Sequence, residues 1–496
     1  MRTLMAAVQP RGWLFGSGRT GVTSRALATL IVLILVQLVV AQSLGLFPQV
    51  PMIDFYQYWG VSAALRLSGE PLGSPYPNHE KYHAVLRDHA ARSDQRKLEM
   101  VSRLSARPSF TATPFLYVLF AAFPTDYTRA AALFHALQVL LFLAAVILLG
   151  AVYRYQVFPL LCLAFLLVLG SGPFSSDLRL GNLGCFQLAS LTVLLALVDR
   201  LRRAPSPTAL GAIVLASLTL LALAKPNVGL VVAIMALHLW LAHGSRFFAI
   251  AAVPALLAGA AAVIIPCVYF GSWMVWPEWY GVVFGSNPYA LARPPRAGNY
   301  STARVLSAWL HADVWTVAAL VAAALVISII AVTARSAKAE ARAHATPPRG
   351  TLARLFGDPH LAMAIGVTMT IALPHLFWYH YYLIALIPGL WLLNASSGPS
   401  YLPLCGLGAL VLSSGQLNVL FLPLGWTGAV AAGAALSWVP LWGGILVRLY
   451  STGAPETGAV SMPSAAEKPD EHRAAEARPG QRPPRVKTPR ADSGGP

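Results

Sequence analysis

Residues Pro207–His243 read PTALGAIVLASLTLLALAKPNVGLVVAIMALHLWLAH, with one cation, Lys225, and Pro226 between two apolar runs. Each run has about the length that a helix rising roughly 1.5 Å per residue needs to cross a hydrocarbon slab of about 30 Å. Working outward, further apolar runs lie at 26–47, 110–123, 128–152, 157–173, 184–198, 247–270, 313–334, 360–377, 380–395, 401–414 and 419–449. In lipid each segment must satisfy its own backbone hydrogen bonds, so such runs imply helices. The expected fold is an all-α, polytopic membrane helical bundle with about 11–13 transmembrane helices. It occupies residues 1–450, ahead of a Pro-, Ala-, Glu- and Arg-rich tail, 451–496, whose composition is that of a disordered segment.

Composition agrees with that reading. Of 496 residues 56% are hydrophobic and 11% charged, against roughly 25% charged in an ordinary soluble domain. The net charge of +17 could suggest nucleic acid, but the Lys and Arg residues gather in short links between apolar runs and in the tail. That is a topology pattern, and no nucleic-acid partner is expected. Cys162, Cys185, Cys267 and Cys405 fall within or beside apolar runs without short paired spacing. Neither disulfides nor a metal site is expected, and no cofactor.

Basic links favour the cytoplasmic side. The links Asp199–Arg203 (DRLRR), Gly244–Arg246 and Arg335–Arg354 are therefore expected inside, with both termini cytoplasmic in a cell membrane. The polar segments 48–108 and 271–311 then lie outside, as extracytoplasmic loops. Strict alternation leaves one span too many. The short run bracketed by Pro108, Pro114 and Pro124 is the one expected not to cross.

Five clusters can carry chemistry. In MIDFYQYWG (Met52–Gly60) an acid, Asp54, sits among Phe55, Tyr56, Tyr58 and Trp59. These aromatics suit the headgroup level, so the segment is expected to lie along the interface, with Tyr58 and Trp59 touching lipid. Asp54 has two readings: a residue capping the start of that helix, or a general base that takes a proton from a hydroxyl. Lys225 is a charge in an apolar context. Such groups usually face a polar cavity, here one suited to phosphate, although the long stem can also snorkel to the headgroups.

The segment SSDLRLGNLGCFQ (Ser175–Gln187) places Asp177, Arg179, Asn182 and Gln187 between two apolar runs, with Gly181 and Gly184 allowing close approach. Arg179 can fork onto phosphate and Asn182 can bond sugar hydroxyls, or the segment is an ordinary polar turn. In HLFWYHYYLIALIP (His375–Pro388), His380 stands in an aromatic patch; it either assists a phosphate or packs. Finally Trp273, Trp276 and Trp279, at helical spacing and followed by Arg293, Arg296 and Arg304, suit a lipid with an anionic head, with Trp276 and Trp279 as contacts. The charge-based topology puts Asp54, Arg179, Asn182, Lys225 and His380 on one side, which implies one composite pocket.

In that order and spacing DFYQYW, followed by LSGEPLGSPY, then RLGNLG, AKPNVGL and WYHYYLIALIP resemble the GT-C glycosyltransferases that use polyprenyl-phosphate sugars, family 87, over about Asp54–Pro388. The resemblance implies a GT-C-like bundle and a hexosyltransferase, mannose being the implied sugar. Its donor is a polyprenyl-phosphate sugar and its acceptor a hydroxyl of a glycan or glycolipid. Asp54 is implied as the base of an inverting displacement, with Lys225, Arg179, Asn182 and His380 around the donor phosphate and sugar. A transporter or flippase of a phosphate-containing lipid or sugar is the rival class, and a non-catalytic membrane scaffold a third.

Overall fold

The computed structural model describes residues 52–93, 95–104, 110–155, 171–204, 207–284, 300–343, 355–374, 377–394, 401–414 and 429–451. The expected first span 26–47, residues 157–170 of the run 157–173 and the tail beyond residue 451 lie outside these residues, as do parts of the link 335–354 and of the run 419–449. The described chain is helical. It begins with α1 (Ile53–Ser68), α2 (His79–Arg92), α3 (Arg96–Leu104) and the short α4 (Pro114–Leu119). Next come α5 (Tyr127–Val152), α6 (Gly172–Leu180), α7 (Gly184–Leu201), α8 (Pro207–Ala224), α9 (Gly229–His243) and α10 (Ser245–Phe270). After α11 (Val275–Phe284), α12 (Thr302–Leu310), α13 (Val314–Ala343) and α14 (Pro359–Ala372), a 3-10 segment at Tyr379–Ala385 runs into α15 (Leu386–Leu393). The last helices are α16 (Leu402–Ser414), α17 (Ala429–Leu436) and α18 (Trp438–Ser451).

Local chemistry sets the starts of these helices. Asp126 accepts from the Arg129 N–H at 2.7 Å ahead of α5, and Ser171 accepts from Phe174 N–H ahead of α6, where Pro173 occupies the first turn. Thr113 does the same for α4 and Asp358 for α14. Each cap satisfies an N–H that the helix itself leaves without a partner.

Among the described residues seven helices are long and apolar enough to cross a membrane, and three shorter apolar helices accompany them. Their outward faces decide the solvent. On α5, Leu133, Leu140 and Ile147 recur every two turns and point away from the protein, Leu140 being 63% exposed; on α10, Leu256 is 71% exposed. Rows of exposed Leu and Ile on long helices cannot face water at such density. They fit lipid, and the chain is a polytopic helical membrane bundle.

The run 110–123 yields only α4, of six residues, and a 3-10 turn at Phe120–Ala122. At about 1.5 Å per residue α4 covers about 9 Å, too little to cross. The last apolar stretch is broken at Ser437, between α17 and α18.

The expected interfacial placement of Tyr58 and Trp59 is corrected. Both are buried inside the protein, in an aromatic core with Phe55, Tyr117, Phe120 and Phe134. Helix α1 buries Phe55, Tyr56, Tyr58, Trp59, Val61, Ala63 and Ala64 in succession and so lacks the polar face that an interfacial helix needs. Trp59 spends its indole N–H on the Pro124 carbonyl at 2.6 Å, and Ser62 donates to the Tyr117 carbonyl. A polar tip that finds its partner within the protein has no need of the headgroup layer.

Candidate functional site

The site is built where the start of α1 meets the turn between α6 and α7. Helix α1 begins at Ile53 with Met52 in the cap position and no side-chain cap there. Asp54 is therefore inside the first turn, where the helix dipole favours a carboxylate. Its Oδ2 accepts from Asn182 Nδ2 at 2.6 Å. Gly181, with φ of +67°, allows this approach: a Cβ there would come within 2.6 Å of Phe55 Cβ and 2.8 Å of the Met52 methyl. The left-handed backbone and the close packing both require glycine.

Asp177 organises the same turn from below. It is fully buried and accepts from the backbone N–H of Gly184 at 2.7 Å and of Cys185 at 3.0 Å, capping α7 from seven residues upstream. Gln138 Nε2, from the middle of α5, lies within 3.1 Å of the Asp177 carboxylate, 3.0 Å of its carbonyl and 2.8 Å of the Asn182 carbonyl. Burial pushes the Asp177 carboxyl up, and the donors from Cys185, Gly184 and Gln138 pull it back. The turn that presents Asn182 is thus pinned both by its neighbour Asp177 and by Gln138 from a distant helix.

Lys225 lies in the turn between α8 and the 3-10 residues Pro226–Val228. Its Nζ donates to the Tyr58 hydroxyl at 3.3 Å and stands 5.3 Å from the ring centroids of both Tyr58 and Tyr381. The ammonium is turned onto two aromatic faces of the protein. Burial pulls its pKa down to about 8, while the charges of Asp54 and Asp177 act in the opposite direction. Thr113, at the start of α4, donates to the Ala224 carbonyl at 3.2 Å and steadies the turn.

His380 is buried, edge-on to Tyr381, and within electrostatic reach of Lys225. Its backbone packs on α7, since a Cβ on Gly184 would meet the His380 carbonyl at 2.8 Å. Among the described residues its Nε2 has no hydrogen-bond partner. Asp54, Asn182, Lys225 and His380, expected from distant parts of the sequence to share one pocket, are brought together.

Arg179 differs from these four in exposure. It is exposed near the end of α6, and its charge bears on Tyr300. Trp276 and Trp279 meet edge to face at 5.7 Å, each partly buried, with indole N–H groups on the Val263 and Thr111 carbonyls. They pack the α10–α11 corner beside the aromatic core.

Sequence reasoning missed three parts of the site. Gln138 was detectable as a lone amide in an apolar run, the signal that singled out Lys225. Tyr381, the second face under Lys225, and the amide contact of Gln187 with Asn227 at 2.7 Å depend on tertiary packing alone. Among the described residues no three His, Cys, Asp or Glu side chains gather as a metal site. Comparison of the chain with family models, with curated proteins and with solved structures finds no match in any of the three.

Proposed function

We propose that the chain is a membrane glycosyltransferase that moves a hexose, mannose by the resemblance of its motifs, from a polyprenyl-phosphate donor to a hydroxyl of a glycan or glycolipid at the extracytoplasmic face. One observation carries the reading. A carboxylate, Asp54, is oriented by an amide from a distant turn, and the partly desolvated ammonium of Lys225 stands within reach of its charge. Such a pair separates two tasks that sugar transfer from a lipid phosphate requires.

Asp54 accepts the proton of the attacking hydroxyl. The acceptor oxygen bonds to the anomeric carbon as the bond from that carbon to the phosphate oxygen breaks. The electron pair leaves with the polyprenyl phosphate, whose added charge is met by Lys225, with His380 beside it. A fixed cation at the developing charge lowers the barrier more in a water-poor site than in bulk solvent. Attack from the face opposite the leaving phosphate inverts the anomeric centre. The apolar helix faces give the prenyl chain its solvent, which accounts for the chemistry being held in a membrane.

The test uses membranes holding equal amounts of wild type and Asp54→Asn, supplied with a labelled polyprenyl-phosphate mannose and an extract of glycolipid acceptors. Label reaches an acceptor with wild type and falls by at least about a hundredfold in the variant, within the range for a lost general base. Unchanged transfer by Asp54→Asn removes the base assignment. Donor binding without transfer by the wild type favours a carrier of the lipid instead.

A further inference from the structure

The contact between Gln187 and Asn227 goes further than holding two helices together. Gln187, on the first turn of α7, is 2% exposed and donates through Nε2 to Asn227 Oδ1 at 2.7 Å. Gln187 Oε1 and Asn227 Nδ2 are buried and, among the described residues, have no hydrogen-bond partner. Leaving such groups unmatched is costly, so the acceptor and the donor that this one bond leaves over call for a polar guest.

The pattern does not depend on which end of each amide is nitrogen. Turning both amides over keeps the bond between them and again leaves one donor and one acceptor. Turning only one sets donor against donor or acceptor against acceptor. A single guest that satisfies both groups gives one hydrogen bond and takes one. A phosphate oxygen only accepts at neutral pH and an ammonium only donates; a hydroxyl does both.

Placement ties the pair to the site. Gln187 is three residues along α7 from Gly184 and so on the same face, the face that packs against the His380 carbonyl. Asn227 is two residues past Lys225, in the Pro226–Val228 turn. The pair bridges the lysine turn and the helix that carries the Asn182 loop. We infer that Gln187 and Asn227 form a subsite for one hydroxyl of the donor sugar, and so take part in choosing which sugar the chain accepts. This inference rests on the proposed function, because it needs a sugar held beside Lys225.

The experiment measures binding to the full chain in detergent. The probes are a short-chain polyprenyl-phosphate mannose, its 2-, 3-, 4- and 6-deoxy analogues, and the bare polyprenyl phosphate. For wild type, one deoxy analogue should bind about tenfold more weakly than the parent, the loss of a hydrogen-bonded hydroxyl at a buried amide pair. In Gln187→Leu the parent should weaken by a similar factor, that analogue's penalty should shrink to within about twofold, and bare polyprenyl phosphate should bind as to wild type. Asn227→Ala, at a half-buried turn position, should give the same collapse of the penalty and guards against misfolding of the first variant. A penalty that persists in both variants, or no deoxy penalty in wild type, overturns the subsite while leaving the glycosyltransferase reading intact. Failure of wild type to bind either lipid overturns that wider reading and the subsite with it.

Discussion

Asn182 Nδ2 donates to Asp54 Oδ2 at 2.6 Å, joining residues 128 positions apart. The bond makes the carboxylate of α1 answer to the geometry of the α6–α7 turn. Removing the amide should cost rate more than affinity, because an oriented group matters most as the proton moves. Asn182→Ala is expected to lower kcat by about tenfold to a hundredfold with KM little changed, read in a transfer assay with varied donor. A change confined to KM would make Asn182 a donor-binding residue instead.

Gly181 sets how near that turn can come. A methyl group there meets Phe55 Cβ at 2.6 Å on a backbone with φ of +67°. Gly181→Ala is expected to destabilise the protein by about 1–3 kcal/mol and to lower transfer along with it. Thermal unfolding in detergent checks the first effect. An unfolding temperature equal to wild type would show that the turn relaxes freely.

Asp177 accepts two backbone N–H groups at the start of α7 and a contact from Gln138. Asp177→Leu leaves the Gly184 and Cys185 N–H groups buried without that partner, at a cost of about 1–3 kcal/mol each, while Gln138 keeps the Asp177 and Asn182 carbonyls. The unfolding temperature should fall by more than for Asp54→Asn. Equal effects would mean that the cap contributes little.

Lys225 titrates near pH 8 because burial opposes its charge. Its ammonium is present below that pH and is lost as pH rises through it. The kcat/KM for a polyprenyl-phosphate donor should therefore fall on the alkaline side with a midpoint near pH 8, since that ratio reports the free protein. Lys225→Arg keeps its charge throughout and should remove this limb, whatever activity it retains. A limb that survives the substitution belongs to another group.

Burial lowers His83, in α2, to a pKa of about 4, with the charges of His79 and Arg87 acting the same way. Its Nδ1 shares a hydrogen bond with the Tyr56 hydroxyl at 3.1 Å. The unfolded chain binds a proton near pH 6.5 and the folded chain near pH 4, so stability should decline as pH falls between those values. His83→Gln should flatten this decline in an unfolding series. An identical pH dependence in the variant would place the acid sensitivity elsewhere.

Several features of the fold and site were legible as chemical misfits in an apolar sequence. Lys225 in a run of Leu and Ala, Asp54 among aromatics, and Asn182 between two glycines each require a structural explanation, and all three meet at the site. The misplacement of Tyr58 and Trp59 has a physical cause: an aromatic cluster has the same composition in a headgroup belt and in a protein core. What separates the two is a polar face on the helix, and α1 has none. Gln138, Tyr381 and the Gln187–Asn227 pair act through partners 39 or more positions away, and spacing along the chain carries no trace of those pairings.

The central claim is that Asp54 and Lys225 belong to one centre for an anionic lipid headgroup. Single cysteines at these positions, Asp54→Cys and Lys225→Cys, can be labelled in sealed vesicles with a thiol reagent that does not cross the membrane, with and without polyprenyl phosphate. The account predicts that both react from the extracytoplasmic side and that the lipid protects both. Reaction from opposite sides, or protection of only one position, would contradict it.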